Sequence, residues 1–169
     1  MSQARSTAER LRAEFDQAYA EAPAPRLEHG DDLLAVGLGG EPYALRVADI
    51  ARLAAGSAVS ALPGATRGFL GLVGLRGELL PAWDLGALLG YAPLKGQPRW
   101  LASSAGQPRW AAAFERFDGY LKAPRQDLSP YAGGRAEGLA DQLCTTGGEL
   151  RPVLNFERLL QAIRQGERA

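Results

Sequence analysis

The sequence predicts a mainly β fold built as two packed β-barrels. Three observations support this: short apolar segments at close spacing, glycine- and proline-rich turns between them, and a similar order of elements in both halves of the chain. Such a pattern is typical of small barrels or a sandwich. With 169 residues, 46% hydrophobic and 22% charged, the chain can form one domain or two small subdomains that share a core.

Charge balance and cysteine content narrow the functional classes. Nineteen basic and nineteen acidic residues leave no net charge, which argues against a general binder of nucleic acid or of anionic membranes. The lone Cys144 cannot form an intramolecular disulfide, so we expect a reducing compartment. The first residues lack the apolar stretch of a signal peptide, and no run approaches the ~20 apolar residues of a transmembrane helix. We therefore expect a cytoplasmic protein without direct membrane insertion.

Residues 1–31 are expected to form an N-terminal helix and a linker. Ser6 and Glu9 have the spacing of a capping box, and a helix over 6–20 would carry its apolar residues on one face. This helix could pack on its own domain or bind a partner, and the sequence leaves both open. Residues 21–32 contain two prolines and many polar residues, which indicates a linker.

The first predicted subdomain covers about residues 32–92. Short strands are expected at 33–38, 43–47 and 58–62, with a Gly-Gly-Glu turn joining the first two. Tyr43, Leu45 and Val47 alternate with Ala44 and Arg46, which predicts one buried and one exposed face. The stretch 48–53 is ambiguous between a helical turn and a bent strand.

Residues 68–85 form the most distinctive segment of the chain. Glycines at 68, 71, 74 and 77 alternate with apolar residues, and each interior glycine would cost a helix roughly 1 kcal/mol relative to alanine. Two strands that meet at an Arg76-Gly77-Glu78 turn fit better. Alternation places Leu70, Leu72 and Gly74 on one face with Arg76, and Phe69, Gly71, Val73 and Leu75 on the other. Asp84 is expected to cap a short helix that ends near Gly90.

The second predicted subdomain covers about 93–154, followed by a closing helix over 155–164. The sequence Gly-Gln-Pro-Arg-Trp occurs at 96–100 and at 106–110, which predicts a hairpin with a tryptophan at the start of each strand. Further strands are expected up to 121, and a strand pair is expected around Gly147-Gly148. Asn155 should cap the closing helix, whose apolar face consists of Phe156, Leu159, Leu160 and Ile163.

Few residues could form a catalytic or metal site. His29 lies in the polar linker, Cys144 lies in a predicted strand, and metals usually take three or four protein ligands. The glycines at 37–40 and 68–77 lack the Gly-Lys-Ser/Thr ending of a phosphate-binding loop. We therefore expect no catalysis, no cofactor and no metal. Arg76 could bind a partner's carboxylate with its planar guanidinium, or remain a solvated turn residue.

At residues 71–85 the sequence resembles the CheW-like domain family of bacterial chemosensory adaptors. The family pattern is Gly-x-x-Asn-x-Arg-Gly-x-x-x-Pro-x-x-Asp-Leu, and this chain has Gly-Leu-Val-Gly-Leu-Arg-Gly-Glu-Leu-Leu-Pro-Ala-Trp-Asp-Leu. The segments 43–50, 62–64, 111–117 and 150–155 resemble other parts of the family, in order and with similar spacing over 32 to about 164. Gly74 replaces the usual asparagine, Glu115 replaces aspartate, and Phe114 and Phe117 replace smaller aliphatic residues. These departures suggest a divergent or accessory member.

The resemblance implies two five-stranded SH3-like barrels around a shared core, and an adaptor that performs no chemistry. Its implied partners are the regulatory domain of a CheA-type histidine kinase and the cytoplasmic hairpin tip of a chemoreceptor. A groove between the subdomains would suit an amphipathic helix. The implied partner-facing positions are Arg76, Gly77, Ile50, Arg52, Val47 and Gly71. The implied structural positions are Asp84, Pro81, Trp83 and Asn155.

Three alternatives stay open. An accessory regulator of a twitching or other chemosensory system would bind only one of the two partners, and the extra N-terminal helix favours it. A small hydrolase or ligand-binding barrel would show a deep polar pocket containing His29 or Cys144. A nucleic-acid-binding barrel would require salt-sensitive binding of single strands, against which the neutral charge speaks. Through its receptors the adaptor could also lie at the inner face of the membrane.

Overall fold

The computed structural model describes residues 30–63 and 66–166. The predicted helix over 6–20, His29 and Gly64 lie outside these residues. The described strands are β1 (Asp31–Leu38), β2 (Glu41–Arg46), β3 (Ile50–Ala55), β4 (Val59–Ser60), β5 (Phe69–Leu75), β6 (Glu78–Asp84), β7 (Trp100–Ser104), β8 (Ala111–Phe114), β9 (Arg116–Ala123), β10 (Leu128–Pro130), β11 (Ala140–Thr146) and β12 (Glu149–Leu154). The α-helices are α1 (Leu85–Leu88) and α2 (Phe156–Gly166), and short 3₁₀ turns cover Val47–Asp49 and Arg125–Asp127. The ambiguous stretch 48–53 is thus the end of a 3₁₀ turn followed by a strand.

The strands form two sheets, which confirms the predicted mainly β class. The first sheet has the order β10-β11-β12-β2-β1-β9, and the second has the order β4-β5-β6-β8-β7-β3. Each sheet has six strands, whereas the resemblance implied five, because the short β10 and β4 each add an edge strand. One parallel pair joins each sheet at its middle: β12 with β2, and β6 with β8.

The two halves of the chain have the same order of elements but exchange their leading hairpins. The hairpin of β1 and β2 pairs with strands of the second half, β9 and β12, in the first sheet. The hairpin of β7 and β8 pairs with strands of the first half, β3 and β6, in the second sheet. The expected division into 32–92 and 93–154 therefore does not separate the two sheets, since each sheet takes strands from both halves.

The hairpins β5–β6 and β11–β12 occupy equivalent places in the two sheets. Each has a two-residue turn, and each has a register shift near its start, between Phe69 and Gly71 in one and between Ala140 and Gln142 in the other. Each also leads directly into a helix, α1 or α2. This equivalence allows the residues of one half to be compared with those of the other.

The main hydrophobic core contains side chains from both sheets and both helices. Its members include Val36, Leu45, Trp83, Phe114 and Leu154, all buried. A second cluster lies on the other face of the second sheet and a third on the other face of the first sheet. Strands with one face in the main core and the other in a sheet's own cluster are buried on both sides.

This arrangement overturns the alternation predicted for β2. Tyr43 and Leu45 belong to the main core, as predicted, but Ala44 is equally buried because it packs in the cluster of the first sheet. Arg46 is half-buried and ion-paired, so it does not mark a solvent-facing side. Both faces of a strand between two cores are buried, so its sequence no longer alternates between apolar and polar residues, and an exposed face cannot be predicted from such alternation.

Candidate partner-binding site

Arg76 and Gly77 form the two-residue turn between β5 and β6. Leu75 pairs with Glu78 across it, and the backbone φ angles are 46° at Arg76 and 85° at Gly77. Positive φ at both central residues is the type I′ geometry, which favours asparagine and glycine. Arg76 is the single non-glycine residue with positive φ in the described part of the chain. An L-residue in this region costs about 1–2 kcal/mol.

The equivalent turn of the other sheet shows that an arginine is not needed for this geometry. There Gly147 and Gly148 have φ angles of 62° and 82°, in the same region as Arg76 and Gly77. The first-half turn therefore carries a strained and exposed arginine where glycine would fold with less strain. Strained backbone conformations of this kind are common at active sites and ligand-binding sites, where the strained residue takes part in function.

The face of the hairpin beside this turn is apolar and accessible. Gly71, Val73 and Leu75 are buried, whereas Leu72 is half-buried and Gly74 is exposed, as the alternation predicts for the later part of β5. The prediction is wrong at the start of the strand, where the register shift between Phe69 and Gly71 leaves Phe69 against the main core and Leu70 against the second cluster, with Val73 and Leu75. Leu72 pairs with Pro81 across the hairpin and Gly74 pairs with Leu79, which is 68% exposed. We call Leu72, Gly74, Leu79 and Pro81 the outer hairpin face. It combines apolar side chains with a guanidinium at its end, a composition suited to protein contacts.

Gly71 lies inside the molecule, although the resemblance implied a partner-facing position. A Cβ atom there would come within 2.0 Å of the Ser60 carbonyl oxygen, and the residue has a φ of 132°. Glycine is needed at this position because the Ser60 backbone of β4, the antiparallel neighbour of β5, lies directly against it. Gly74 differs, since a Cβ there would meet no atom within 4 Å. The asparagine usual in the family would therefore fit at residue 74.

The other implied partner-facing residues lie on and before β3, at the opposite edge of the second sheet from β4 and β5. Val47 and Ile50 are half-buried and pack against the main core. Arg52 is also half-buried, and its Nη1 atom is buried without a hydrogen-bond acceptor among the described residues. Strands β7 and β8 thus lie between β3 and the β5–β6 hairpin that carries Arg76.

The residues assigned structural roles hold α1 and α2 in place. Asp84 is only 1% exposed, and its two carboxylate oxygens accept hydrogen bonds from the backbone N–H groups of Ala87, at 3.1 Å, and Leu94, at 2.8 Å. Trp83 is buried against Phe69, with ring centroids 5.0 Å apart. Pro81 belongs to the outer hairpin face.

Asn155 caps α2 and connects it to a network of charges. Its Oδ1 accepts from the backbone N–H of Arg158 at 3.0 Å, and its Nδ2 donates to Asp141 at 2.9 Å. Arg46 donates to the same carboxylate at 2.6 Å and to Asp31 at 3.2 Å. Burial alone would raise the pKa of Asp141, but the hydrogen bonds from Arg46 and Asn155 outweigh it and hold that pKa below its usual value. Sequence reasoning missed this network because Arg46 and Asp141 are 95 positions apart.

Arg109 is a second residue that sequence reasoning missed. It lies directly before β8, and its Nη2 atom is 3.2 Å from a carboxylate oxygen of Glu78, next to the Arg76 turn. Its Nε atom is buried without a hydrogen-bond acceptor among the described residues, as is Nη1 of Arg52. The repeated Gly-Gln-Pro-Arg-Trp sequence contains Arg109, but the repeat predicts only a hairpin and does not indicate the contact with Glu78.

A cavity of about 560 Å³ lies between α2 and the segments before β3 and before β8. Asp49, Trp110 and Leu160 are among its lining residues, and burial raises the pKa of the Asp49 carboxyl. Cys144 does not line it. Cys144 is fully buried, and its Sγ is 3.1 Å from Thr146 Oγ1.

Within residues 30–63 and 66–166, no group of three or more His, Cys, Asp or Glu side chains is arranged to hold a metal ion. In the same residues, no helix is long and apolar enough to cross a membrane.

Comparison with a family model and comparison with solved structures point to the same family. The family model described as CheW-like domain matches residues 32–164. No curated protein matches the sequence. Among solved structures, the chain is similar to the crystal structure of the scaffolding protein TtCheW from Thermoanaerobacter tengcongensis, with a TM-score of 0.67 and 14% identity over 75% of this chain and 90% of that one. At this identity the likeness establishes the fold, which is that of two SH3-like subdomains.

Proposed function

The chain belongs to the CheW-like domain family, and on that premise we propose that it is a non-catalytic adaptor that couples chemoreceptors to a CheA-type histidine kinase in a bacterial chemosensory pathway. The family consists of scaffolding adaptors, and the fold agrees with this role. The kinase would be bound through its regulatory domain and the receptor through its cytoplasmic hairpin tip.

The observation that carries the proposal is the Arg76 turn. The chain keeps an exposed arginine at a φ of 46°, in a turn whose equivalent in the other half is formed by glycines. We infer that the arginine is retained for recognition, because it adds strain without a structural partner among the described hydrogen bonds and ion pairs. A guanidinium at this place can donate two parallel hydrogen bonds to a carboxylate, or donate to the last carbonyl groups of a helix.

The outer hairpin face supplies the second part of the contact. Leu72, Leu79 and Pro81 present apolar surface beside Arg76, and a partner helix with one apolar face and a terminal acceptor would match both. Burial of the exposed Leu79 would contribute affinity, while the arginine would determine the orientation of the partner.

Separate pull-downs with a kinase regulatory domain and with a receptor-tip fragment test the adaptor role. Binding to both partners supports coupling. Binding to only one partner favours the alternative, an accessory regulator of another chemosensory system. The N-terminal extension of the sequence also favours that alternative. An absence of binding to either would overturn the proposal.

Arg76→Gly tests the contact itself. Loss of one charge-assisted hydrogen bond at an interface costs about 1.5–3 kcal/mol, so the Kd for the partner should rise by about one to two orders of magnitude. The free energy of unfolding should stay level or rise, because glycine relieves the positive φ. Arg125→Gly is the matched control, since Arg125 is also exposed but precedes β10 of the first sheet. Equal affinity of Arg76→Gly and the unchanged protein would show that Arg76 is not a contact.

A further inference from the structure

Two exposed arginines that are distant in sequence meet at Gly90, just after α1. A Cβ atom at Gly90 would lie 3.6 Å from Nη1 of Arg135 and 3.6 Å from Nη2 of Arg67, so these two nitrogen atoms are at most twice that distance apart. Glycine leaves the space beside them free of a side chain. Because β6 runs from the Arg76 turn to α1, this place lies at the opposite end of β6 from that turn.

The guanidinium of Arg135 is held in position by an aromatic ring. Its Cζ lies 4.4 Å from the centroid of the Tyr91 ring, which is a cation–π contact. The hydroxyl of Tyr91 is 2.9 Å from that of Tyr43, whose side chain belongs to the main core. On the other side of the contact, Ala136 follows Arg135 and is fully buried in the same core. Since the ring covers one face of the planar guanidinium, the N–H donors at its edge are left for another acceptor.

The acceptors available to the two guanidiniums are incomplete. Nη1 of Arg135 is 3.5 Å from the carbonyl oxygen of Gly90, which is longer than the about 2.7–3.2 Å usual for an N–H···O hydrogen bond. Among the described residues, no acidic side chain forms an ion pair with Arg67 or Arg135. Positive charges that are held this close together repel each other. An anion between them would remove that repulsion and accept the open N–H groups.

Charge and the number of donors identify the kind of anion. Each guanidinium offers parallel N–H donors that match two oxygens of one oxyanion. A phosphate group has three accepting oxygens and a charge of about −1.5 to −2 at neutral pH, so it matches two guanidiniums better than the single charge of a carboxylate does. Two of its oxygens, each accepting at about 2.7–2.9 Å, can bridge nitrogen atoms at the separation found here.

We propose that Arg67 and Arg135, with Tyr91 as the support for Arg135, form a binding site for a phosphate group, called here the phosphate site. The ligand is free phosphate or the phosphate of a small monoester. The inference does not depend on the adaptor function, because the phosphate site contains no residue of the Arg76 turn or of the outer hairpin face.

Titration of the full-length protein with inorganic phosphate and with methyl phosphate tests the site. Nuclear magnetic resonance, at constant ionic strength, should show the Nε–H signals of Arg67 and Arg135 shifting with one common Kd. Tighter binding of methyl phosphate assigns the site to monoesters and tighter binding of inorganic phosphate assigns it to the free anion, and both results support the inference. Signals that do not respond to either ligand would overturn it.

Substitutions show whether the two arginines bind the anion together. Arg67→Gln and Arg135→Gln should each raise the Kd for phosphate by about tenfold or more, in line with loss of charge-assisted hydrogen bonds. Arg125→Gln is the matched control, since Arg125 is also exposed but lies before β10, and it should leave the Kd unchanged. Equal affinity of all three variants would overturn the phosphate site.

The support from Tyr91 is tested by two variants that differ in the ring alone. Tyr91→Phe keeps the aromatic face under Arg135 and should bind phosphate as the unchanged protein does. Tyr91→Leu removes that face and should weaken binding by about threefold, although both arginines remain. Equal binding by these two variants would refute the role of the ring.

The dependence on pH distinguishes a phosphate site from a general anion site. Methyl phosphate gains its second charge with a pKa of about 6, so its affinity should rise between about pH 5 and about pH 8, while the guanidiniums stay charged. Sulfate keeps its charge in this range and controls for titration of the nearby Glu41, Glu137 and Tyr91. Acetate should bind at least about tenfold more weakly than phosphate. An affinity for methyl phosphate that follows the sulfate profile, or acetate binding as tight as phosphate binding, would overturn the assignment.

Stability measurements separate binding from a structural role at the end of α1. If the arginines serve binding, Arg67→Gln and Arg135→Gln keep or raise the melting temperature in the absence of phosphate, because each removes one of two repelling charges. If they serve instead to cap the last carbonyl groups of α1, the melting temperature falls without phosphate. Such a fall together with unchanged phosphate binding would assign both arginines to folding and overturn the inference.

Discussion

Gly71 and Gly74 lie three residues apart in β5, yet the structure gives them opposite tolerances for a side chain. A Cβ atom at Gly71 would come within 2.0 Å of the carbonyl oxygen and 2.7 Å of the carbonyl carbon of Ser60. Both are backbone atoms of β4, so no change of side-chain rotamer can relieve the clash. A Cβ at Gly74 would meet nothing within 4 Å. Gly71→Ala and Gly74→Ala therefore form a matched pair.

Two contributions determine the cost of Gly71→Ala. The φ of 132° at Gly71 is unfavourable for alanine and costs about 1–3 kcal/mol. Relief of the clash requires β4 to move, which would expose Val59, now 7% exposed and worth about 1.5–3 kcal/mol when buried. The expected loss of unfolding free energy is about 3–6 kcal/mol, a large part of the 5–15 kcal/mol typical of whole domains. Gly74→Ala should stay within about 0.5 kcal/mol of the original protein.

Urea unfolding followed by circular dichroism measures both variants against the unchanged protein. Thermal unfolding should show a fall of about 6–24 °C for Gly71→Ala, since 1 kcal/mol corresponds to about 2–4 °C at this chain length. A loss below 1 kcal/mol for Gly71→Ala, or equal losses for the two variants, would refute the claim that the neighbouring strand β4 requires glycine at residue 71.

Two further predictions concern the helix caps and the charge network. Asp84→Ala should lower the free energy of unfolding by about 2–4 kcal/mol, because it leaves the buried N–H of Ala87 and the part-buried N–H of Leu94 without an acceptor. Asn155→Ala, at the half-buried equivalent cap, should cost about 1 kcal/mol. Equal losses in urea unfolding would contradict this. The pKa of Asp141 is lower in the folded protein than its usual value, so its contribution to stability is complete above that value and is lost as the pH falls below about 4. The urea midpoint should therefore fall less steeply with acidification in Asp141→Asn than in the original protein, and parallel pH profiles would count against the Arg46–Asp141 hydrogen bond as a source of stability.

The local elements could be predicted because their signals are local. The hairpin at 68–85, the turns at 39–40 and 147–148, and the helix after Asn155 depend on glycine, turn and cap residues that are adjacent in sequence. The assembly could not be predicted in the same way. The sheets are built from strands that are distant in sequence, since β3 pairs with β7 and β9 pairs with β1. No local pattern distinguishes a hairpin that stays with its own half from one that is exchanged.

The prediction of site residues was limited in the same way, because it could use only signals that are local in sequence. Arg76 was identifiable because it interrupts a run of glycine and apolar residues. The resemblance implies a partner-facing position for Gly71, but a short family pattern does not show that the Ser60 backbone of the neighbouring strand β4 lies against it. Arg109 and the partner of Arg46 were missed because their contacts, to Glu78 and Asp141, come from strands that are distant in sequence.

Comparison of the two halves separates residues that the fold requires from residues that it permits. Both halves need a capping side chain after the second hairpin, and both have one, Asp84 and Asn155. Both need positive φ at the hairpin turn, and one half meets this with Gly147 while the other has Arg76. Since the fold requires only the backbone angle at that place, the arginine side chain is not accounted for by folding. The asymmetry between two equivalent turns is therefore the basis for our proposal that the first-half hairpin binds a partner.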